Sequence, residues 1–406
     1  MPIPELAERF GTPLYVYDAS AISRRIADLQ AFDVIRYAQK ANSNLAILDF
    51  MLRRNVVVDA VSAGEIRRAQ AAGFSGASQP PGIVYTADIF DRDALDIVVS
   101  DHIPVNAGSL DMIEQLGDRA PGRNIMLRIN PGFGHGHSQK TNTGGEQSKH
   151  GIWHGRLGDA LLLADRCGLG ITGLHMHIGS GSDLEHLAQV CSAMESAART
   201  VGRTVMTISA GGGLPIAYRA TDTDVDIDAY FSLWDATRKR LESEFGHRVT
   251  LEIEPGRYLV AESGYLIAEI RAVKRTAGKT FYLVDAGFNN LARPILYGAY
   301  HPMSVCRTDA DEPGLLDVVV GGPLCESGDI FTQEEGGFVR TRSLPAARVG
   351  DFLVIERAGA YGAVMASNYN SKPFAAEVLV EQDRCHLIRD RQSYEDLMRG
   401  ERIPAR

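Results

Sequence analysis

Short runs of β-branched and other apolar residues recur along residues 30–260, and each is followed by a turn and then by an amphipathic stretch rich in Ala, Leu and Arg. This alternation predicts repeated βα units and therefore a parallel sheet. Eight such units in about 230 residues are typical of a closed (β/α)8 barrel. The alternative, an open doubly wound sheet, would place a glycine-rich turn after its first strand, where this chain has Gln39-Lys40-Ala41-Asn42. The eight predicted strands are 34–38, 56–60, 83–86, 103–106, 125–129, 171–177, 205–209 and 250–254.

The pattern changes after about residue 262, where apolar and polar positions alternate in segments separated by Gly/Pro turns. This pattern, without clear crossover helices, predicts an antiparallel β domain. Residues 13–17 form a predicted strand ahead of the barrel, and we expect it to join that domain. The predicted strands of the β domain are 265–270, 280–284, 316–320 and 352–355. The predicted division is 1–25 for the N-terminal strand, 26–261 for the barrel and 262–406 for the β domain.

Composition narrows the class of protein. The 406 residues are 45% hydrophobic and 23% charged, which is an ordinary globular balance. The 42 Lys and Arg against 51 Asp and Glu give a net charge of −9, and no basic block predicts a nucleic-acid or membrane partner. The five cysteines are scattered without a CxxC pair, which argues against a disulfide framework and against a zinc site. With no signal-peptide pattern at the start, we expect a reduced, cytoplasmic protein without a metal.

Polar residues follow the predicted barrel strands at their C-terminal ends, where barrel enzymes place their chemistry. Lys40 is either a solvated surface lysine or an amine able to form a Schiff base with a carbonyl. The triplet 211–213 (GGG) is either a plain turn or a phosphate cradle, to which Ser180 adds a hydroxyl donor.

The remaining candidates also have plain structural alternatives. Glu254 and Arg257 could form a surface ion pair after a strand, and His177 could be a hydrogen-bonded rim histidine. Asp59 and Arg128 could pair inside the barrel, and a lone cysteine such as Cys325 is usually inert. No one of these signals decides the function.

In their order along the chain, these segments resemble one family. It is the fold-type III pyridoxal-phosphate (PLP) decarboxylases of the ornithine, diaminopimelate and arginine decarboxylase group, which is related to alanine racemase. The resemblance spans essentially the whole chain and implies a barrel followed by an alanine racemase-like β domain. It rests on YAQKAN at 37–42, HIGS at 177–180, GGG at 211–213, EPGR at 254–257, CESGD at 325–329 and GAY at 359–361.

The resemblance implies a role for each matching position. Lys40 would hold PLP as a Schiff base, Cys325 would return a proton to the substrate, and His177 would stack on the cofactor ring. Glu254 would face the pyridine nitrogen and keep it protonated. The implied cofactor-binding residues are Lys40, Asp59, Arg128, His177, Ser180, Gly211, Gly212, Gly213, Glu254, Pro255, Gly256, Arg257 and Tyr361. The implied substrate-binding residues are Arg257, Arg293, Tyr297, Glu326 and Tyr361.

Within the group, the chain resembles the diaminopimelate decarboxylase branch. Arg293-Pro294 leads into Leu296-Tyr297-Gly298, and Glu326 directly follows the cysteine. A substrate with a distal amino-carboxylate needs a cation for its carboxylate and an acid for its ammonium, whereas an ornithine pocket needs only acids. We therefore expect decarboxylation of meso-2,6-diaminopimelate to L-lysine. In this family Cys325, Glu326 and Tyr361 would enter the site across a dimer interface, so a homodimer is also expected.

Two segments depart from the usual pattern, and three alternatives stay open. The third barrel strand ends in Tyr85-Thr86-Ala87-Asp88 where many relatives have a Gly/Asn-Lys turn, and Ser148-Lys149-His150-Gly151 replaces a Phe-Gly ending in the polar loop 134–151. A decarboxylase of ornithine, arginine or a siderophore intermediate would share every cofactor motif. A racemase would need a cation in place of Glu254. A non-catalytic PLP-binding relative would be expected to lack Lys40 or Cys325.

Overall fold

The computed structural model describes residues 2–134, 143–179, 184–308 and 314–405. The chain divides into two compact units. The barrel unit comprises residues 24–216 and 223–259, and the sheet unit comprises residues 1–23, 217–222 and 260–406. The chain begins with α1 (Ile3–Phe10) and β1 (Leu14–Asp18) of the sheet unit, and α2 (Ala19–Ala27) follows.

The barrel unit contains a closed parallel barrel, as the strand pattern predicts. Its strands in the described chain are β2 (Val34–Ala38), β3 (Val57–Ala60), β4 (Ile83–Ala87), β5 (Val105–Ala107), β6 (Asn124–Asn130), β8 (Gly170–His175), β9 (Thr207–Ser209) and β10 (Thr250–Ile253). Each pairs in parallel with the next, and β10 pairs with β2 to close the ring. A short additional strand, β7 (Ile152–Trp153), pairs with the C-terminal end of β6.

Helices follow the barrel strands because their sequences supply both an apolar face and a cap. In the helix over 110–119, Met112, Ile113 and Leu116 are buried while the polar positions between them face solvent. The Ser109 side chain accepts a hydrogen bond from the Met112 N–H at the start of that helix. The helices of this part of the chain are α3 (Leu45–Leu52), α4 (Ala63–Ala71), α5 (Arg92–Ser100), α6 (Leu110–Arg119), α7 (Leu157–Arg166), α8 (Leu184–Val201), α9 (Ile227–Phe245) and α10 (Arg257–Val260).

A buried ion pair lies inside the barrel. Arg36 on β2 is only 1% exposed, and its guanidinium Nη2 lies 3.0 Å from Oε1 of Glu252 on β10. Arg36 also donates to the carbonyl of Pro81 at 2.9 Å. Because both charged groups are removed from water, each charge offsets part of the desolvation cost of the other.

The sheet unit is built on a mixed sheet rather than a purely antiparallel one. Most neighbours are antiparallel, but β1 runs parallel to the strand over 376–381 and the strand over 280–284 runs parallel to that over 315–321. Its further elements are β11 (Gly264–Arg275), β12 (Thr280–Val284), α11 (Arg293–Tyr297), β13 (Met303–Cys306), β14 (Leu315–Gly321), β15 (Arg342–Pro345), β16 (Phe352–Ile355), β17 (Ala376–Glu381), β18 (Arg384–Arg389) and α12 (Tyr394–Leu397).

The N-terminal strand lies in the middle of this sheet. The strand order is β15-β14-β12-β11-β1-β17-β18, and β16 pairs with both β11 and β13. Leu14 faces Ile267 on one side and Ala376 on the other, and all three are buried. Across the described residues, no helix combines the length and apolar character needed to cross a membrane.

Candidate active site

Lys40 lies at the C-terminal mouth of the barrel. It occupies the single helical turn Gln39–Ala41 directly after β2, and its two neighbours in that turn are buried while Lys40 is exposed. Lys40 lines a cavity of about 690 Å³ together with Thr86, Asp88 and Arg128. The amine is thus accessible to a carbonyl compound that enters the cavity.

Glu254 is a buried, ionised carboxylate just beyond the end of β10. Its Oε2 lies 2.6 Å from Nε2 of His175, and the Ser209 hydroxyl donates to its Oε1 at 3.4 Å. Burial raises the pKa of Glu254, but His175, Arg36 and Arg128 outweigh that effect, so the pKa lies below its ordinary value. A negative charge is therefore held in the barrel interior.

Asp59 is a second buried carboxylate, in the opposite protonation state. Burial and the charge of Glu254 raise the pKa of Asp59 to about 8, against the opposing effects of Thr86 and Lys40. Asp59 is consequently protonated at neutral pH. Its Oδ1 has no hydrogen-bond partner among the described residues. Two carboxyl groups with different environments thus take on different charges in one site.

His177 follows β8 and is uncharged. Burial of the ring, together with the positive charges of Arg128 and Lys40, lowers its pKa well below the ordinary histidine value. A backbone hydrogen bond with Gly212 acts in the opposite direction and raises the pKa of His177, but burial and the two positive charges outweigh it. A neutral, backbone-anchored imidazole at this position suits stacking on an aromatic ligand.

The glycine turn 211–213 requires glycine at every position. A Cβ at Gly211, Gly212 or Gly213 would collide with the carbonyl oxygen of Met176, Glu254 or Gly179 respectively. Gly211 and Gly213 also have φ values of +62° and +103°, which other residues rarely adopt. The Glu254 N–H donates to the Gly211 carbonyl at 2.8 Å, which ties the turn to the end of β10.

Three of the other predicted barrel residues, Pro255, Gly256 and Arg257, directly follow Glu254 in the chain. Ala38 N–H donates to the Pro255 carbonyl, and a Cβ on Gly256 would lie 3.1 Å from the Ala38 carbonyl oxygen. Arg257 begins α10 immediately afterwards. Ser180, the predicted hydroxyl donor, lies outside the described residues.

Five predicted residues belong to the sheet unit. Arg293 is buried and donates to the Tyr218 hydroxyl at 3.0 Å and to Nε2 of His301 at 2.8 Å. Cys325 and Glu326 are exposed, and the Cys325 N–H donates to Oδ1 of Asn370 at 2.7 Å. Tyr297, at the end of α11, and Tyr361 are both half-buried.

Sequence reasoning missed several side chains that take part in the site. His175 is one of them, although the sequence carries a signal for it, because the predicted strand 171–177 places His175 two residues from His177 and therefore on the same face. No local signal marks the others as partners, because their contacts join distant segments. The missed residues are Thr86, Asp88, His150, His175 and Ser209.

An accessible lysine, a glycine turn without side chains and a buried negative charge meet the needs of pyridoxal chemistry. A family model described as the pyridoxal binding domain of pyridoxal-dependent decarboxylases matches residues 20–261. The chain belongs to the pyridoxal-dependent decarboxylase family. The predicted enzyme class and cofactor are thereby confirmed.

Full-length relatives carry a more particular name. The chain is 52% identical to diaminopimelate decarboxylase of Escherichia coli K12 over 97% of this chain and 94% of that protein. It is 54% identical to diaminopimelate decarboxylase of Streptomyces coelicolor over 98% and 91% of the two chains.

Solved structures give the same result. A crystal structure of diaminopimelate decarboxylase is 52% identical and covers 97% of this chain and 94% of its own, with a TM-score of 0.94. The enzyme from Helicobacter pylori, complexed with L-lysine, is 31% identical over 98% of each chain, with a TM-score of 0.85. The predicted fold class is confirmed by these likenesses.

The residues of the barrel unit fit pyridoxal phosphate. The turn 211–213 carries no side chains, as phosphate-binding turns require for close approach to backbone N–H groups, and Glu254 offers the charge that a protonated pyridine nitrogen requires. The buried Oδ1 of Asp59, unpartnered among the described residues, is available to a bound polar group.

Proposed function

We propose that the chain decarboxylates meso-2,6-diaminopimelate to L-lysine and CO2, the last step of lysine biosynthesis. The observation that carries this proposal is the match over nearly the whole chain to relatives of that name at 52% and 54% identity. The buried Arg293 guanidinium, held by Tyr218 and His301, adds a fixed cation for a substrate carboxylate. We propose that Glu326 receives the distal ammonium, and that Arg257, Tyr297 and Tyr361 complete the substrate contacts.

Each residue of the barrel unit would have a defined task. Bound pyridoxal phosphate supplies an electron-accepting ring that stabilises the charge left when CO2 departs. Lys40 would hold the cofactor covalently, and the turn 211–213 would bind its phosphate together with Ser180, Arg257 and Tyr361. Glu254 would keep the ring nitrogen protonated, and neutral His177 would cover the ring face. Asp59 and Arg128 would orient Lys40 and the edge of the cofactor.

Cys325 is the proposed proton donor. After CO2 has left, the thiol would deliver one proton to the substrate carbon that carried the carboxyl group, which completes the amine product. Its exposure on the sheet unit is compatible with service in a site shared between two copies of the chain. We therefore propose that the chain forms a homodimer. We also propose that the enzyme is cytoplasmic. The functional division into residues 1–25, 26–261 and 262–406 also stays a prediction.

The substrate is tested by adding PLP and measuring release of CO2 and lysine from meso-diaminopimelate, with ornithine and arginine as controls. Lysine formed from diaminopimelate alone supports the proposal. Turnover of ornithine or arginine instead would replace the substrate. Inactivity on all three compounds, with a Schiff-base absorbance still present, would reject diaminopimelate as the substrate and direct the search to larger conjugated amino acids.

The shared site is tested by mixing two inactive variants, Lys40→Ala and Cys325→Ala, after each has been shown to fold. If sites combine Lys40 of one copy with Cys325 of another, subunit exchange restores one intact site in a mixed dimer, and activity returns. Each variant incubated alone is the control. Activity that stays absent after verified exchange, or an active monomer by light scattering, would contradict the shared site.

A further inference from the structure

The two segments in which the chain departs from its family's usual pattern contact each other. Asp88, just after β4, accepts a hydrogen bond from the Gly151 N–H at 2.7 Å through Oδ1. Its Oδ2 lies 2.5 Å from Nδ1 of His150. The contact spans more than sixty residues of sequence and joins the end of β4 to the segment that precedes β7.

The surroundings are shaped for this contact. A Cβ on Gly108, at the end of β5, would collide with the Asp88 carboxylate, so glycine there makes room for it. Gly151 has a φ of +76°, and a Cβ on it would lie 3.1 Å from the Arg128 carbonyl oxygen and from the Asn130 nitrogen. The chain can therefore pass close to β6 at Gly151 only because that residue has no side chain.

Asn130 secures the same segment from the other side. The side-chain Nδ2 of Asn130 donates to the carbonyls of Gly145 and His150 at 3.1 Å each. Its side-chain Oδ1 accepts from the N–H groups of Gly132 and Gly145 at 3.1 and 3.0 Å. With all four hydrogen bonds made, the buried amide and the Asp88 carboxylate hold both sides of residues 145–151.

The segment held in this way continues into β7, and together they form one wall of the Lys40 cavity. Gly151 leads directly into β7, where Ile152 pairs with Ile129 and Trp153 with Asn130. Ile152 and Trp153 line the same cavity as Lys40, as do Asp88 and His150. Asp88 therefore contacts the wall of the Lys40 cavity and also lines that cavity itself, although it is not one of the predicted substrate contacts.

We propose that Asp88 is a positioning and specificity-determining residue, which clamps His150 and Gly151 and thereby fixes Ile152 and Trp153 as the wall that the substrate meets. This inference rests on the proposed function for its substrate, but the clamp itself can be tested without one. The charge of Asp88, held between Arg128 and His150, supports the same arrangement, because both groups lower the pKa of its carboxyl group.

Acrylamide quenching of tryptophan fluorescence reports the clamp directly. The chain has two tryptophans, and Trp234 is fully buried while Trp153 is 36% exposed, so accessible quenching comes from Trp153. Asp88→Ala in the PLP-loaded enzyme is expected to increase the quenching. Asp91→Asn is the matched control, since it removes the same charge three residues away and keeps an N-cap for α5. The control should leave quenching as in the wild type.

Kinetics separate a positioning role from a merely structural one. Loss of a charge-assisted hydrogen bond corresponds to roughly a tenfold change in affinity, so Asp88→Ala should raise KM for meso-diaminopimelate about tenfold with a smaller effect on kcat. A partly unfolded enzyme would instead show lower kcat at unchanged KM. His150→Phe, which keeps the backbone hydrogen bond to Asp88, should show a smaller shift in the same direction and serves if Asp88→Ala does not fold.

The outcomes are distinct. Unchanged quenching together with unchanged KM in a folded Asp88 or His150 variant would overturn the clamp. If the wild-type enzyme does not act on meso-diaminopimelate, the proposed function fails, and the quenching comparison alone decides the clamp. An increase in acrylamide quenching together with an increase in KM, neither of which is seen in Asp91→Asn, supports the clamp.

Discussion

Nε2 of His175 lies 2.6 Å from Oε2 of Glu254, and both side chains are buried in the barrel. His175 is the last residue of β8, Glu254 directly follows β10, and the two are separated by 79 positions. This contact, with the charges of Arg36 and Arg128, keeps Glu254 ionised against the cost of its burial. The charge that the cofactor's ring nitrogen would meet is therefore set by residues beneath the mouth of the barrel.

Replacing Glu254 by Gln should preserve the fold and PLP binding while lowering kcat about 100-fold, because an uncharged amide cannot hold a proton on the ring nitrogen. Steady-state kinetics and a PLP absorbance titration give the two quantities. Near-normal turnover in a PLP-loaded Glu254→Gln enzyme would remove Glu254 from this role.

His175→Phe should move the acidic limb of the pH–kcat profile to higher pH by about one unit. His175 is the largest influence that lowers the pKa of Glu254, and burial, which raises it, stays in place when His175 is removed. Glu254 would then be protonated, and activity lost, at a higher pH than in the wild type. His247→Gln, on the exposed loop after α9, is the control and should leave the profile unchanged. An unmoved limb in the His175 variant would contradict the coupling.

Asp59→Asn should change how the stability of the cofactor-free protein depends on pH. An aspartate in the unfolded chain titrates near pH 3.9, whereas the folded pKa of Asp59 is raised to about 8. Between these values the folded state binds more protons, so wild-type stability falls as pH rises through this window. The variant lacks this contribution. The difference between its thermal unfolding midpoint and that of the wild type should therefore shift in favour of the variant as the pH rises from 5 to 8. Asp111→Asn, an exposed site on α6, should run parallel to the wild type.

Arg36→Met should destabilise the barrel by about 3–5 kcal/mol, because it leaves the Glu252 carboxylate buried without its counter-charge. Replacing both Arg36 and Glu252 by Met should recover most of that loss, since no unpaired charge remains. Urea unfolding followed by circular dichroism measures the free energy of unfolding of the wild type, the single variant and the double variant. A double variant as unstable as the single one would show that the pair is needed for more than mutual compensation.

The barrel strands were predictable because the information is local. Each runs through the interior of the barrel unit as a short β-branched segment followed by a helix, and predicted strands 34–38 and 83–86 agree with β2 and β4 to within a residue. The sheet unit was harder to predict. β15 and β18 are partly exposed and each begins with an arginine, so no hydrophobic alternation marks them, and pairing with a neighbour alone defines them as strands.

The sequence by itself determined the order of the barrel elements and the family, and it predicted the residues that would meet the cofactor, because β-propensity, periodicity and short motifs are properties of neighbouring residues. The tertiary structure decided which side chains became partners and what charge they carry. It placed His175 against Glu254 and Asp88 against His150, and it made the sheet mixed by bringing β1 beside β17. These results depend on burial and on distances between remote segments, which exist only once the chain has folded.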